Sequence, residues 1–519
     1  MTILMHKHVN ASVGLFFLCV YALFAGGHYG GDGFWSYLTA QSLVLDGDVV
    51  LGDRPFLVKE MVNQYAETAG EGVTSALGKK HSMYGLGLAL LEIPFFTIGH
   101  LLSIVFAGVP SDYLTMFAVS MTNVVISSVS CVVFFAMGRA LGFGRKRILW
   151  ITGFFGLGSI AFPYASYGFS EPLLLACFLG TAYALLMYRR QGRNAFVVVA
   201  GILLGLAVLT KLYAVIVIPP FAVYLIFSVK DRSRSSLFEP ILALCIPLVF
   251  FGGLAAWYNF ARYGNPFLTG YHLVDFSRIG GFFHFSPIRI LSGVYGLLLS
   301  SGRGLILFTP VTLLVPLAIW KSLHANRSEA LLFSCLILEH LLFFGAYGIW
   351  HGGSSWGPRF LLPVVPFMLL PIGFLLDPPG PVSKVAKTLG VSGFLVQLPV
   401  VVTNYHLFIR FLTDTKPGFY LQPESQLFSP YLSPIIGAYY QVASAVSEFI
   451  TGHGLPYPVP PTVNGMFSDL SAYDQIDLWW LNVLGSGYIG SGASACCIIV
   501  VLFLAVGATI SCVRVVRRA

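Results

Sequence analysis

The chain has 519 residues, of which 56% are hydrophobic and only 10% charged, and its mean hydropathy is +0.79. Soluble domains carry about 25% charged residues, so this composition excludes a water-soluble globular protein and predicts a polytopic membrane protein. The formal charge of +8 falls in short basic clusters between apolar runs, which marks cytoplasmic loops and argues against nucleic-acid binding.

A backbone in lipid must satisfy its own hydrogen bonds, so the apolar runs predict helices. In chain order they fall at roughly 11–28, 84–106, 113–137, 148–164, 169–188, 195–210, 213–229, 238–258, 304–320, 329–348, 360–376, 388–408 and 484–508. The first resembles a signal peptide but has no small-residue cleavage site, so it reads as a retained span. Basic clusters at 138–147, 188–193, 230–234, 321–327 and the C-terminal tail read as cytoplasmic. Both termini then lie inside, which needs an even number of crossings, yet the runs are odd in number. One segment between Tyr84 and Tyr213 is therefore re-entrant, broken or fused with its neighbour. Three long segments, 28–83, 258–303 and 409–483, fall on the opposite face. The last, rich in Pro, Tyr and Ser, reads as an irregular loop with one or two short helices on the membrane face. The eight cysteines lie in or beside apolar segments without ligand spacing, and read as packing residues rather than disulfides or metal ligands.

Charged and aromatic residues at the membrane edge carry the candidate chemistry. In "YGGDGFWSYLTAQSLVLDGDVV", Phe34, Tyr37, Leu38, Val44 and Leu45 recur at helical spacing while Ser36, Thr39, Ser42 and Asp46 face elsewhere. This predicts an amphipathic interfacial helix. Asp32 sits where an N-cap belongs, and is equally placed to be a functional acid. In "ALGKKHSMYGLGLALLEIPFF", Lys79, Lys80 and His81 are interfacial anchors or contacts to an anionic head group. Glu171 opens a span, and Lys211 interrupts one. A charge deep in hydrocarbon costs about 2.5–3.5 kcal/mol even on insertion scales, so both are functional candidates, with snorkelling at a span end the alternative for Lys211. Arg262 and Tyr271 lie in an aromatic, polar loop. Arg303, and His351 with Trp356 and Arg359, lie in Gly-rich turns before spans. Glycine lets backbone approach a ligand, and arginine offers a planar fork to phosphate. No Walker loop, HExxH, nucleophile elbow or Rossmann fingerprint occurs.

The order of "GKKHSMYGLGLALLEIPFF", "GFSEP", "GLAVLTK", "YNFARYGNPFLTGY", "SSGRGLILFTP" and "WHGGSSWGPRFLLPVVP" resembles the GT-C superfamily of polyprenyl-phosphate-dependent glycosyltransferases, such as the protein O-mannosyltransferases and the aminoarabinose lipid A transferases. The resemblance covers about residues 10–375. It implies an all-α, GT-C-like bundle of about 11–13 transmembrane helices, with interfacial helices in the first extracytoplasmic loop. A catalytic module would span 1–375. Residues 376–519 would add C-terminal helices and a long extracytoplasmic loop. The implied activity moves a hexose or pentose from a polyprenyl-phosphate donor to an extracytoplasmic glycan, lipid or protein, in a bacterial inner membrane. It implies Asp32 as catalytic base, although the Asp-Glu pair of the protein mannosyltransferases is Asp32-Gly33 here. Asp46 and Asp48 are substitutes for the missing acid. It implies Lys211 near the lipid phosphate. Arg303 and Arg359 are further phosphate candidates; Lys80, His81, Glu171, Arg262, Tyr271, His351 and Trp356 are candidate substrate contacts. No cofactor is expected, the family not generally requiring a metal. The rival readings are a transporter or flippase for a lipid-linked or anionic substrate, for which internal repeats would be expected, and a structural membrane protein.

Overall fold

Eight helices among the described residues are long and apolar enough to cross a membrane, and shorter apolar helices lie at Val9–Leu23, Asn194–Thr210, Pro287–Leu299 and Arg359–Leu375. The chain is thus an all-α polytopic membrane protein. The computed structural model describes residues 2–27, 32–51, 73–74, 78–230, 237–273, 285–403, 408, 427–453, 455, 476–485 and 491–518.

The first half contains α1 (Thr2–Leu23), α2 (Asp32–Leu45), α3 (Gly87–Val105), α4 (Ser111–Ala140), α5 (Arg145–Gly156), α6 (Ala161–Tyr164), α7 (Glu171–Gln191), α8 (Asn194–Thr210), α9 (Ile218–Lys230) and α10 (Phe238–Tyr263). Between α2 and α3, β1 (Val73–Thr74) and β2 (Lys80–His81) pair antiparallel with Val73 opposite His81 and Thr74 opposite Lys80. The second half contains α11 (Gly270–Leu273), α12 (Ile290–Leu299), α13 (Leu305–Phe308), α14 (Val315–Ala325), α15 (Arg327–Ala346), α16 (Val365–Leu369), α17 (Pro381–Val402), α18 (Pro434–Thr451), α19 (Trp479–Gly485) and α20 (Ser491–Arg518).

One large apolar cluster runs through most of these helices, with Phe134 and Phe155 stacked at 4.5 Å in it. Ala386, Val400 and Val401 of α17 belong to the same cluster, so the chain beyond residue 376 is packed into the core of the first 375. Lipid offers no hydrophobic drive between spans, and small residues let them pack closely instead. Gly201 of α8 meets α10 this way: a Cβ there would lie 2.6 Å from Leu244 O.

The run 148–164, inside the stretch where a broken segment was expected, is broken: α5 ends at Gly156, and a four-residue helix follows at Ala161. At 1.5 Å per residue, neither piece crosses a bilayer core of about 30 Å. The run 304–320 is likewise split between α13, a 3-10 turn and α14. The 258–303 segment, expected as a loop, contains the apolar α12. In the 409–483 segment the described part holds α18, an 18-residue helix; most of the rest, including 456–475, lies outside the described residues.

Helix α2 also differs from an interfacial helix with an exposed polar face. Ser36, Thr39 and Ser42 are buried along with Phe34 and Tyr37. Tyr37 shares a hydrogen bond of 2.9 Å with Thr115 of α4. The polar face of α2 is turned into the protein.

The basic clusters meet at one end. Arg190 donates to Ala140 O, and Asn326 Nδ2 to Leu141 O at 3.4 Å. Arg189 pairs with Glu329 at 2.7 Å, Arg147 with Asp377 at 3.5 Å, and Arg145 donates to Val516 O. Residues 231–236 of another basic cluster lie outside the described residues. From this end, α4 rises about 25 Å between Ala140 and Asn123, and Asn123 touches the loop that opens the site described next.

Candidate active site

Two carboxylates and two cations meet at the end opposite the basic clusters. Lys211 Nζ lies 2.7 Å from Glu171 Oε1, Arg359 Nη1 lies 2.9 Å from Asp32 Oδ2, and Arg359 Nε lies 3.9 Å from Glu171 Oε1. Tyr84 donates its hydroxyl to Asp32 Oδ1 at 2.8 Å. Side-chain exposure is 0% at Glu171, 7% at Lys211, 14% at Arg359 and 18% at Asp32, so the Asp32 side is the open side.

Local structure favours each charge where it stands. Asp32 and Glu171 occupy the first turns of α2 and α7, where the helix dipole stabilises an anion. Lys211 caps the C-terminus of α8 in an extended conformation, φ −146°, ψ 126°, where the dipole stabilises a cation. Arg359 opens a 3-10 helix, Arg359–Val364. Its guanidinium lies over the rings of Phe169, 4.9 Å from the centroid, and Phe360, at 5.1 Å. The hydrogen bonds of the Asp32 carboxylate run to Tyr84 and Arg359; among the described residues none runs to an amide of the first turn, so Asp32 is not an N-cap of the expected kind. Burial would raise the Asp32 carboxyl, but Arg359 foremost, then Lys211, and hydrogen bonds from Tyr84 and Arg359 outweigh it and hold the group below the ordinary aspartate range.

Three atoms of this cluster are buried without a hydrogen-bond partner among the described residues: Glu171 Oε2, Arg359 Nε and the Tyr213 hydroxyl. Buried polar groups are almost always paired. Three unpaired ones beside two ion pairs leave hydrogen-bonding capacity for a polar ligand.

The site lacks a neighbouring second acid for a geometric reason. A Cβ at Gly33 would lie 2.2 Å from Gly168 O and 2.5 Å from Gly168 Cα. A glutamate there has no room, and Glu171 supplies the second carboxylate from α7. Gly33→Ala is expected to destabilise the fold by about 1–3 kcal/mol through overpacking and to displace Asp32; thermal unfolding in detergent and a transfer assay check both. Asp46 and Asp48 are exposed, and Asp48 Oδ1 is taken by Ser42 Oγ at 2.8 Å and the Val50 amide at 3.0 Å. Neither substitutes for Asp32.

The remaining candidates build the walls. Arg303 is 1% exposed and donates to the carbonyls of Gly302 at 2.7 Å, His351 at 3.2 Å and Gly353 at 2.8 Å. It clamps the 351–353 turn, against which Arg359 packs at Gly352, so three of its donors are spent on backbone carbonyls. Arg262 donates to Ser82 O at 2.5 Å and Tyr84 O at 3.1 Å and lies 3.7 Å from the Tyr258 ring centroid; it holds the turn that delivers Tyr84. His351 Nδ1 accepts from the Gly353 amide at 3.1 Å. Burial first, then Arg303 and Arg359, hold it down to about 3, so it carries no charge. His81 Nδ1 lies 2.9 Å from Val49 O; a carbonyl only accepts, so Nδ1 carries the proton, and burial foremost lowers its basicity. Lys80 is exposed on β2. Trp356 is fully buried and donates to Gln397 Oε1 at 2.8 Å. Tyr271 stands edge-on to Tyr84, ring centroids 6.2 Å apart, and burial, then Asp32 and Glu171, raise its hydroxyl. Among the described residues, no three of His, Cys, Asp and Glu come together as a metal site needs.

The sequence reading missed Tyr84, Phe169, Tyr213 and Asn123. Tyr84 carried a signal, lying between "KKH" and Gly85. The others are aromatic or amide residues of a kind common throughout this chain.

The Lys211–Glu171 pair gives a sharp expectation. Removing one partner of a buried pair costs about 3–5 kcal/mol, because the other charge is left uncompensated, whereas replacing both is often neutral. Lys211→Met is expected to lower thermal stability strongly, and Lys211→Met with Glu171→Gln to restore most of it, by melting of the purified protein.

The fold and site thus define a polytopic membrane protein with a balanced, largely buried charge cluster at the end opposite its basic clusters. Residues 111–257 match the family model described as dolichyl-phosphate-mannose-protein mannosyltransferase; over that segment the resemblance read from the sequence is borne out. Crystal structures of ArnT from Cupriavidus metallidurans align at 14% identity with a TM-score of 0.45. The apo structure is matched over 85% of this chain and 68% of that one, and the structure bound to undecaprenyl phosphate over 92% and 88%. No curated protein matches the chain by sequence.

Proposed function

We propose that the chain is a membrane glycosyltransferase of the GT-C type. It moves a hexose or pentose from a polyprenyl-phosphate-linked donor to an acceptor hydroxyl or amine on the extracytoplasmic side. The observation that carries this reading is the Asp32–Arg359–Glu171–Lys211 cluster with its unpaired buried atoms. The match to a family described by its dolichyl-phosphate-mannose donor supports the donor class.

The reaction is a single inverting displacement. The acceptor oxygen or nitrogen bonds to the anomeric carbon as the bond from that carbon to the phosphate oxygen breaks. The proton of the attacking group goes to Asp32, and polyprenyl phosphate leaves with the bonding electrons. One carboxylate suffices because no covalent enzyme intermediate forms. Arg359 and Lys211 stabilise the charge that develops on the leaving phosphate, and Glu171 balances them when no phosphate is bound. No cofactor takes part in the reaction as written.

The test is a purified preparation in lipid vesicles, supplied with a polyprenyl-phosphate sugar and an envelope extract as acceptor. Free polyprenyl phosphate and a glycosylated acceptor are expected. Movement of intact donor across the bilayer without cleavage would replace this reading with a flippase.

A further inference from the structure

We infer that Asn123 is a positioning residue for the Asp32–Arg359 pair, acting through the loop between α6 and α7; this rests on the reading of Asp32 as the base. Asn123 is fully buried on α4. Its Nδ2 donates to Tyr167 O at 2.6 Å and to Phe169 O at 2.9 Å. A side-chain amide nitrogen has two hydrogens, and here they reach the carbonyls on either side of Gly168. The Tyr167–Gly168 and Phe169–Ser170 peptide units, one on each side of the Gly168–Phe169 unit, are therefore tied to α4.

Two members of the charge cluster rest on that short stretch, and a third grows out of it. The Gly168 backbone is the surface that the first turn of α2 packs against, with room at Gly33 for no side chain. Asp32 is the preceding residue. The Phe169 ring is one of the two faces under the Arg359 guanidinium, 4.9 Å from its centroid, a contact that favours the cation. Glu171 follows two residues later, at the start of α7. One amide thus sets the distance between base and guanidinium, although Asn123 touches neither. The same arrangement recurs at two other loops, where Arg262 holds the carbonyls of Ser82 and Tyr84 and Arg303 those of His351 and Gly353. Asn123 differs in that its loop meets both partners of one ion pair.

A purely structural amide and a positioning amide differ in what they do to the base. Among the described residues, the charged and titratable groups around Asp32 include Arg359, Lys211, Tyr84 and Tyr271, with Glu171 behind Arg359. Of these, Arg359 is the one seated on Phe169. Letting the loop move loosens Arg359 from Asp32, so the carboxylate loses its nearest cation and takes up its proton at higher pH.

The experiment measures donor-dependent transfer by Asn123→Ala and Asn123→Ser over a pH range, alongside wild type and Asp32→Asn, each checked for monodispersity and melting temperature. Expected for Asn123→Ala is a fall in kcat of about 10- to 100-fold, the scale of a misplaced reacting group, with little change in KM. The acid limb of kcat/KM should rise by about one pH unit. Asn123→Ser, which keeps one donor, should fall between the two and serves as the folded variant if alanine does not fold. A folded variant with an unmoved acid limb, whatever its kcat, overturns the inference. Full activity in Asp32→Asn instead overturns the reading on which it rests.

Discussion

Asp32→Asn is expected to abolish sugar transfer while leaving the fold intact. Asparagine is isosteric, and its carbonyl oxygen can still accept from Tyr84 or Arg359, which now engage the two carboxylate oxygens at 2.8 and 2.9 Å. It cannot take the acceptor's proton. Loss of a general base costs about 100- to 10,000-fold in rate, and that range is expected in kcat. Donor binding should move the other way. In the wild type two carboxylates face two cations; the variant leaves the cluster one positive charge in excess, which favours an anionic phosphate. The expected signature is a large fall in kcat with KM for the donor unchanged or lower. Wild-type turnover in a well-folded Asp32→Asn preparation would remove Asp32 as the base, and with it the mechanism above.

The four charged residues of the cluster were all legible as residues, because a charge next to an apolar run is costly and calls for an explanation. Their pairing was not. Sequence alone gave no sign that Glu171, forty positions before Lys211, would be its partner, or that Arg359 would reach back to Asp32. Arg303 and Arg262 looked like ligand groups for the same reason as Arg359: each is an arginine in a Gly- or aromatic-rich turn. What separates them is whether the guanidinium meets carbonyls or carboxylates, and that depends on how the turns fold back. The helices were legible where their apolar runs were long. Lines blurred where glycine and proline fall inside a run, as at Gly156, Gly158 and Pro163, and where a helix is only ten residues long, as in α12. The burial of α2's polar face was hidden because periodicity reports which residues share a face, not what covers it.

Arg359→Lys is expected to cost about 100- to 1,000-fold in kcat/KM, the scale of removing a preorganised donor to a developing oxyanion. Charge is retained, so the buried carboxylates stay compensated and the protein should fold. Lysine has no planar fork: its three donors radiate from a single nitrogen, which cannot stand in for Nη1 and Nε of Arg359 at their two separate positions, one on Asp32 and one toward Glu171. The same geometry predicts how the wild-type enzyme responds to its donor. In the free site Arg359 and Lys211 keep Asp32 ionised below its ordinary range, which makes it a weak base. A phosphate that draws on the same guanidinium weakens that hold, so the Asp32 pKa rises in the complex and the carboxylate becomes a stronger base once a donor is present. The sign is fixed: activity needs the deprotonated form, so the acid limb of kcat, which reports the complex, should lie at higher pH than that of kcat/KM for the donor, which reports the free enzyme. In Arg359→Lys the free-enzyme limb should move up toward that of the complex. Coincident limbs in the wild type would show that Asp32 does not share Arg359 with the phosphate, and Lys211 would then be the cation left to meet it.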